Sequence, residues 1–159
     1  MAARLFRPTS EEDWRRARQL VEEYAASLDV DLSFQDFAHE LEHLAAEYGP
    51  PAGAFLLAEK DGAYLGCVGL RRFAERIGEM KRLYVVPEAR DRGLGRLLAV
   101  GVIDAARELG HARLRLDTLP SMKVAQALYL SLGFKETQAY RHNPVHGSFF
   151  FELDLRQGI

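Results

Sequence analysis

One stretch limits the folds open to this chain more than any other. Residues Ile77 to Val86 read as a β-strand, Pro87 ends it, and Arg90-Asp91-Arg92-Gly93-Leu94-Gly95-Arg96 leads at once into a helix that stops at Gly110. Strand, glycine-bearing turn and helix in that order form a building unit of an α/β fold. Glycine lets a backbone approach an anion closely, and the first amides of a helix have no internal partners. With the helix dipole, those amides favour a phosphate at that end. Arg90, Arg92 and Arg96 add positive charge there. A solvated turn with capping glycines and a charged surface is the plainer alternative. No Lys-Ser/Thr follows the glycines, so this is not a Walker loop. A third glycine is missing too, so a dinucleotide fingerprint fits poorly.

The remaining elements follow from hydrophobic spacing. Leu5 and Phe6 sit in a short strand ended by Pro8, and Thr9 or Ser10 caps a helix with Glu11, Glu12 and Asp13 in its first turn. Trp14, Ala17, Leu20, Val21 and Tyr24 give that helix one apolar face. A second helix is expected from Ser33, with Phe34, Phe37, Leu41, Leu44 and Ala45 on one side and Gly49-Pro50-Pro51 as its stop. Ala54 to Glu59 and Ala63 to Phe73 read as strands joined at Asp61-Gly62, a hairpin signal. Leu114 to Thr118 reads as a strand, Met122 to Leu132 as a helix, and Phe134 to Tyr140 and Ser148 to Leu155 as closing strands.

Length and charge narrow the classes. A chain of 159 residues suits one domain, residues 1–159, around one core. A net charge of −2 supplies no global field for nucleic acid. The sole cysteine, Cys67, lies in an apolar run and reads as a small buried hydrophobe; it permits no intrachain disulfide. The N-terminus lacks the apolar stretch of a signal peptide, and no run reaches the ~18 apolar residues of a membrane span. The expectation is a cytoplasmic protein without nucleic-acid or membrane partners.

The block from Glu79 to Gly95, with Tyr-Val-x-Pro-x-x-Arg-x-x-Gly-x-Gly, resembles motif A of the GNAT acetyltransferases. Ala125-Gln126-Ala127-Leu128-Tyr129-Leu130-Ser131-Leu132-Gly133-Phe134 resembles their motif B, one helix and one strand later. The segment Tyr140-x-x-Asn143-Pro144-x-x-Gly147 is similar to a bacterial subgroup without assigned substrates. The resemblance covers the whole chain. It implies an α/β fold with a mixed, mainly antiparallel sheet of six to seven strands and helices on both faces. It also implies an N-acetyltransferase that uses acetyl-CoA as donor. The backbone of Leu83, Tyr84 and Val85 would pair with the pantetheine arm. Arg90, Asp91, Arg92, Gly93, Leu94, Gly95 and Arg96 would hold the pyrophosphate. Tyr129 would sit by the thioester sulfur, and Glu79 matches the position of a general base in some members. Two residues depart from the pattern. Asp91 stands where many members have glycine, so its side chain should face solvent. Met122 stands where many have a cofactor-contacting asparagine, a role open here to Lys123 or Ser121.

Several side chains keep a second reading. Tyr129 on its own would be a core tyrosine, and Glu79 a solvent-facing strand carboxylate. His39-Glu40-Leu41-Glu42-His43 has zincin spacing but no further ligand candidate nearby, and reads as a solvated pair with no metal. Glu22, Glu23, Asp29 and Asp31 would wall the acceptor site in this family and suit a cationic amine, whereas Arg71 or Arg141 suits a carboxylate. Tyr140, Arg141, His142 and Asn143 are also placed to line it. The acceptor is thus a small-molecule or peptide amine of open identity, and the resemblance leaves room for a homodimer. The alternative to an enzyme is a regulatory acyl-CoA-binding module, which would need the loop but not Tyr129.

Overall fold

The computed structural model describes residues 3–28, 36–141, 143, 145 and 147–156. Its strands are β1 (Arg4–Phe6), β2 (Ala54–Lys60), β3 (Ala63–Ala74), β4 (Ile77–Val85), β5 (Arg113–Thr118), β6 (Lys135–Thr137) and β7 (Phe149–Asp154). They form one sheet in the order β1-β2-β3-β4-β5-β7-β6, antiparallel at every pairing except β4 with β5. The helices are α1 (Glu11–Ala26), α2 (Phe37–Glu42), α3 (Leu44–Glu47), α4 (Leu94–Glu108) and α5 (Lys123–Ser131).

Local chemistry explains most boundaries. Ser10 caps α1, its hydroxyl accepting from the Asp13 amide at 3.0 Å while Asp13 accepts from the Ser10 amide at 3.3 Å. Asp61 and Gly62 both take positive φ, 52° and 82°, and join Lys60 to Ala63 in a two-residue turn. Gly110 and Gly133 end α4 and α5 in the left-handed region, at φ 84° and 96°.

Two expectations change. Ser33 and Phe34 lie outside the described residues, and from Phe37 onward the chain forms two short helices broken at His43 rather than one continuous helix. At the break the His43 backbone leaves helical angles and its Nδ1 lies 2.9 Å from the His39 carbonyl. The closing strand expected over Phe134 to Tyr140 shrinks to three residues. Phe134 is instead a buried core side chain, and after Thr137 the chain leaves the sheet edge so that Tyr140 and Arg141 reach back to β4.

The sheet has an apolar core on each face. Leu98 and Val102 of α4, Tyr129 of α5 and Phe134 pack over Met80, Leu114 and Leu116 on one side. Ala17, Leu20 and Val21 of α1, with Leu44 and Tyr48, cover Phe55, Leu57 and Cys67 on the other. Cys67 is buried and free, and its Sγ lies 3.4 Å from the Arg82 carbonyl. Among the described residues no helix is long and apolar enough to cross a membrane.

One irregularity shapes everything around it. Between the pairs Cys67 with Tyr84 and Gly69 with Lys81, Val68 faces both Arg82 and Leu83, and Arg82 takes a φ of 62°. This is a β-bulge, which bends a strand and increases its twist. β4 pairs with β5 only from Ile77 to Glu79, opposite Arg113 to Arg115. Beyond that point the two parallel strands separate, and a cleft opens between them.

Candidate active site

The glycine loop forms one end of the site. After a 3-10 turn at Pro87–Ala89, Arg90 is extended, Asp91 is left-handed at φ 64° and Gly93 is left-handed at φ 79°, so that α4 begins at Leu94. Aspartate is among the few non-glycine residues that accept the left-handed region, which accounts for Asp91 at this turn. Its side chain is exposed, as expected. The amide of Leu97 makes a helical bond to Gly93 at 3.0 Å, and the amides ahead of it have no helical acceptor. Gly95 is informative because no packing among the described residues demands it. A Cβ there would meet no atom closer than Leu128 Cδ2 at 3.8 Å. Leu94 is buried and anchors the helix start, Arg92 is exposed, and Arg96 donates to Ser131 of α5 at 3.1 Å. Arg90 folds back, its Nε donating to the Val85 carbonyl at 2.9 Å and its guanidinium lying over the Tyr84 ring.

The cleft forms the other end. Met80, Lys81, Arg82 and Leu83 of β4 face Leu116, Asp117 and Thr118 of β5, with Tyr24 and Leu28 from one side and Met122, Ala125 and Tyr129 from the other. Leu83 thus lines the cleft, while Tyr84 turns its ring toward α1 and donates to Glu23 at 3.3 Å. Tyr129 is buried, and burial pushes its phenol well above the ordinary range, with Tyr24 and Asp117 adding to the shift. It therefore keeps its proton at every working pH and can act as a donor. Met122 occupies the position expected of an asparagine, and its sulfur accepts from the Thr118 hydroxyl at 3.6 Å. Ser121 and Lys123 are exposed.

Glu79 is not brought to the cleft. Its side chain has no exposure, and its oxygens accept from Arg71 at 3.2 Å, Arg141 at 2.8 Å and the Tyr140 hydroxyl at 3.0 Å. In this arrangement it ties the segment after β6 onto the sheet. Glu40 is likewise occupied, by Nε and Nη2 of Arg82, each at 2.8 Å, and by the Tyr48 hydroxyl at 2.8 Å. His39 and His43 stack on each other at the surface, 4.3 Å between ring centres, away from that buried carboxylate. Among the described residues no group of three or more His, Cys, Asp or Glu side chains could hold a metal ion. Glu22 and Glu23 are exposed on α1; Asp29, Asp31 and His142 lie outside the described residues.

The sequence reading missed Lys81 and Asp117. Both are buried in the cleft wall, Nζ to Oδ1 3.8 Å apart, and Asn143 donates to the other Asp117 oxygen at 3.1 Å. Each occupies a strand position where period-two alternation alone gives no hint that the neighbouring strand has moved away. Burial pulls the Lys81 amine down to about 8, against the opposing influence of Glu79 and Asp117 and with that of Arg82 and Arg71.

Comparison with known proteins identifies the family and the fold. Residues 12–134 match the model of the acetyltransferase (GNAT) family. An uncharacterized N-acetyltransferase of Schizosaccharomyces pombe is 41% identical over 140 residues, 87% of this chain and 86% of the relative. The uncharacterized N-acetyltransferase YjgM of Escherichia coli is 32% identical over 124 residues, 76% and 73% of the two chains. Among solved structures, a GNAT-family acetyltransferase of Staphylococcus aureus superposes with a TM-score of 0.80 at 20% identity, covering 97% of this chain and 99% of that one. Family match, sequence relatives and fold concur, and the chain belongs to the GNAT acetyltransferases, enzymes that take their acetyl group from acetyl-CoA.

Proposed function

We propose that this protein acetylates a primary amine of a small molecule or peptide by direct attack, with donor and acceptor bound together. The observation that carries the reading is the parting of β4 and β5 next to a glycine-started helix, with Tyr129 in the wall of the gap. Acetyl-CoA fits the residues present. Gly95 leaves open space that the protein's own packing does not require, and glycine inside a helix costs ~1 kcal/mol relative to alanine. Close approach of a pyrophosphate to the first amides of α4 accounts for that cost. Leu83, Tyr84 and Val85 offer backbone on the edge of β4 that no longer pairs with β5, suited to a pantetheine arm laid as an added strand.

Acetyl-CoA supplies a thioester, an activated acyl group with a thiolate to leave. The chain must do the rest. An alkylamine of pKa ~10.4 is only ~0.1% neutral near pH 7.4, a handicap of ~4 kcal/mol that a base can remove. A β4 amide facing the gap can donate to the carbonyl oxygen as charge grows on it. The Tyr129 hydroxyl can donate to the departing sulfur. Holding both partners in one cleft supplies much of the remaining acceleration.

The test is an amine panel with acetyl-CoA at neutral pH, following thiol release. Turnover with any primary amine supports the assignment. Tight calorimetric binding of acetyl-CoA without turnover across polyamines, amino acids, peptides and aromatic amines would favour a binding module instead.

A further inference from the structure

On the face of the sheet covered by α1, β4 carries a second buried titratable side chain beyond Glu79. Lys81 lies two residues past the last paired residue of β4, and Asp117 two past that of β5. The two side chains therefore face each other across the mouth of the gap, 3.8 Å apart and only 3% and 7% exposed. Both line the cleft that Tyr129 lines, and Glu79 does not. Asn143 holds Asp117 through its amide and is itself fixed by the Val145 amide at 2.9 Å.

Resting on the acetyltransferase reading, we infer that Lys81 is the general base of this enzyme, with Asp117 as its positioning residue. The acceptor ammonium gives one proton to the lone pair of Lys81 Nζ. Its nitrogen then forms the C–N bond to the acetyl carbon as the C–S bond breaks. The second proton leaves that nitrogen and reaches sulfur by way of the Tyr129 hydroxyl, which gives one proton and regains one. Lys81 returns its proton to water, and the site is restored.

The surroundings suit this role. Glu79 and Arg82 flank Lys81 on its own strand, Arg71 approaches from β3, Asp117 from β5, and Tyr24 and Tyr129 close the cleft from α1 and α5. Burial dominates and brings the amine to about 8, so that a useful fraction is uncharged at mildly alkaline pH. A base that titrates near the working pH is the best matched one.

The experiment compares wild type, Lys81→Arg, Lys81→Met and Lys81→Cys with the best amine of the panel. In the wild type, kcat/KM should rise through about 8 as Lys81 loses its proton. It should then fall through the acceptor's own pKa, ~10.4 for an alkylamine. Lys81→Arg cannot lose its proton, so its rate at pH 8 should drop ~10²–10⁴-fold and climb steadily with pH, without the lower inflection. Acetyl-CoA affinity by calorimetry should not change. Treating Lys81→Cys with 2-bromoethylamine rebuilds a lysine-like amine there, since position 81 lines the cleft and Cys67 lies in the core under α1. Its thioether sulfur lowers the basicity of the amine, so activity should return with the rising limb at lower pH. A folded Lys81→Arg within ~3-fold of wild type and with the same profile overturns the assignment. So does an aminoethylated enzyme whose rising limb does not move. If the wild type acetylates no amine at all, the functional reading falls and this assignment with it, a result distinct from either.

Discussion

Arg82 grips Glu40 through two hydrogen bonds of 2.8 Å, and in doing so it fastens α2 to the bulge where β4 leaves β5. Both side chains are almost wholly buried, and Tyr48 completes the carboxylate's coordination. The pair fixes the left-handed turn of the strand that opens the cleft.

Glu40→Gln should therefore destabilise the fold by ~3 kcal/mol or more, because it leaves the Arg82 charge buried without its counterion. Urea unfolding measures this. Burial alone would raise the Glu40 pKa, but Arg82, Tyr48 and Arg71 outweigh it and hold the carboxyl below its ordinary value. A depressed pKa contributes stability that is complete above the unfolded value of ~4.3 and is lost as pH falls through the lower folded value. Wild-type stability should fall in that acid window, and the Gln variant should show a shallower fall.

Gly95→Ala separates stability from binding. A Cβ at this position has room and helix propensity improves, so thermal stability should rise by up to ~1 kcal/mol. Acetyl-CoA binding should weaken by ~1.4 kcal/mol or more, a tenfold rise in Kd by calorimetry. Gly95→Asp should weaken it further, and wild-type affinity should decline with added salt. Unchanged affinity in a folded Gly95→Asp protein would remove the pyrophosphate from this loop.

Asp91→Gly should raise both quantities. It relieves a non-glycine residue at φ 64° and deletes a negative charge beside the proposed pyrophosphate site. A gain of up to ~1 kcal/mol in stability is expected. Differential scanning calorimetry with and without acetyl-CoA reads both effects.

On the proposed function, Tyr129→Phe should lower kcat with little change in acetyl-CoA affinity, because its hydroxyl would donate to charge that develops only as the thioester breaks. The expected loss is ~10²–10⁴-fold if chemistry limits turnover. The ring keeps its packing against Phe134 and Phe151, so the melting point should hold. Single-turnover rates equal to wild type would make Tyr129 a packing residue.

The sequence disclosed the fold wherever the determinants are local. Ser10 with Asp13, Asp61-Gly62, Gly93, Gly110 and Gly133 each act within a few residues, and each sits where its chemistry predicts. Three features depend on distant parts of the chain and were illegible. The bulge at Arg82 is paired with Val68, the carboxylate of Glu79 is claimed by Arg141 from the far edge of the sheet, and Lys81 meets Asp117 only because two strands diverge. Glu79 shows the limit most clearly. Motif position marks it as a base, yet the partners that bury it lie 8, 61 and 62 residues away along the chain.

Adjacent residues of a strand point to opposite sides of a sheet, yet Met80 and Lys81 both line the cleft, as do Leu116 and Asp117. The opening is therefore lined from both faces of the sheet. Under the proposed function, donor and acceptor would each meet residues of a different face. A molecule joining a coenzyme A portion to an amine portion would then present its second half at the high local concentration its tether imposes. Its residence time should then far exceed that of either half, whatever amine the enzyme has evolved to accept.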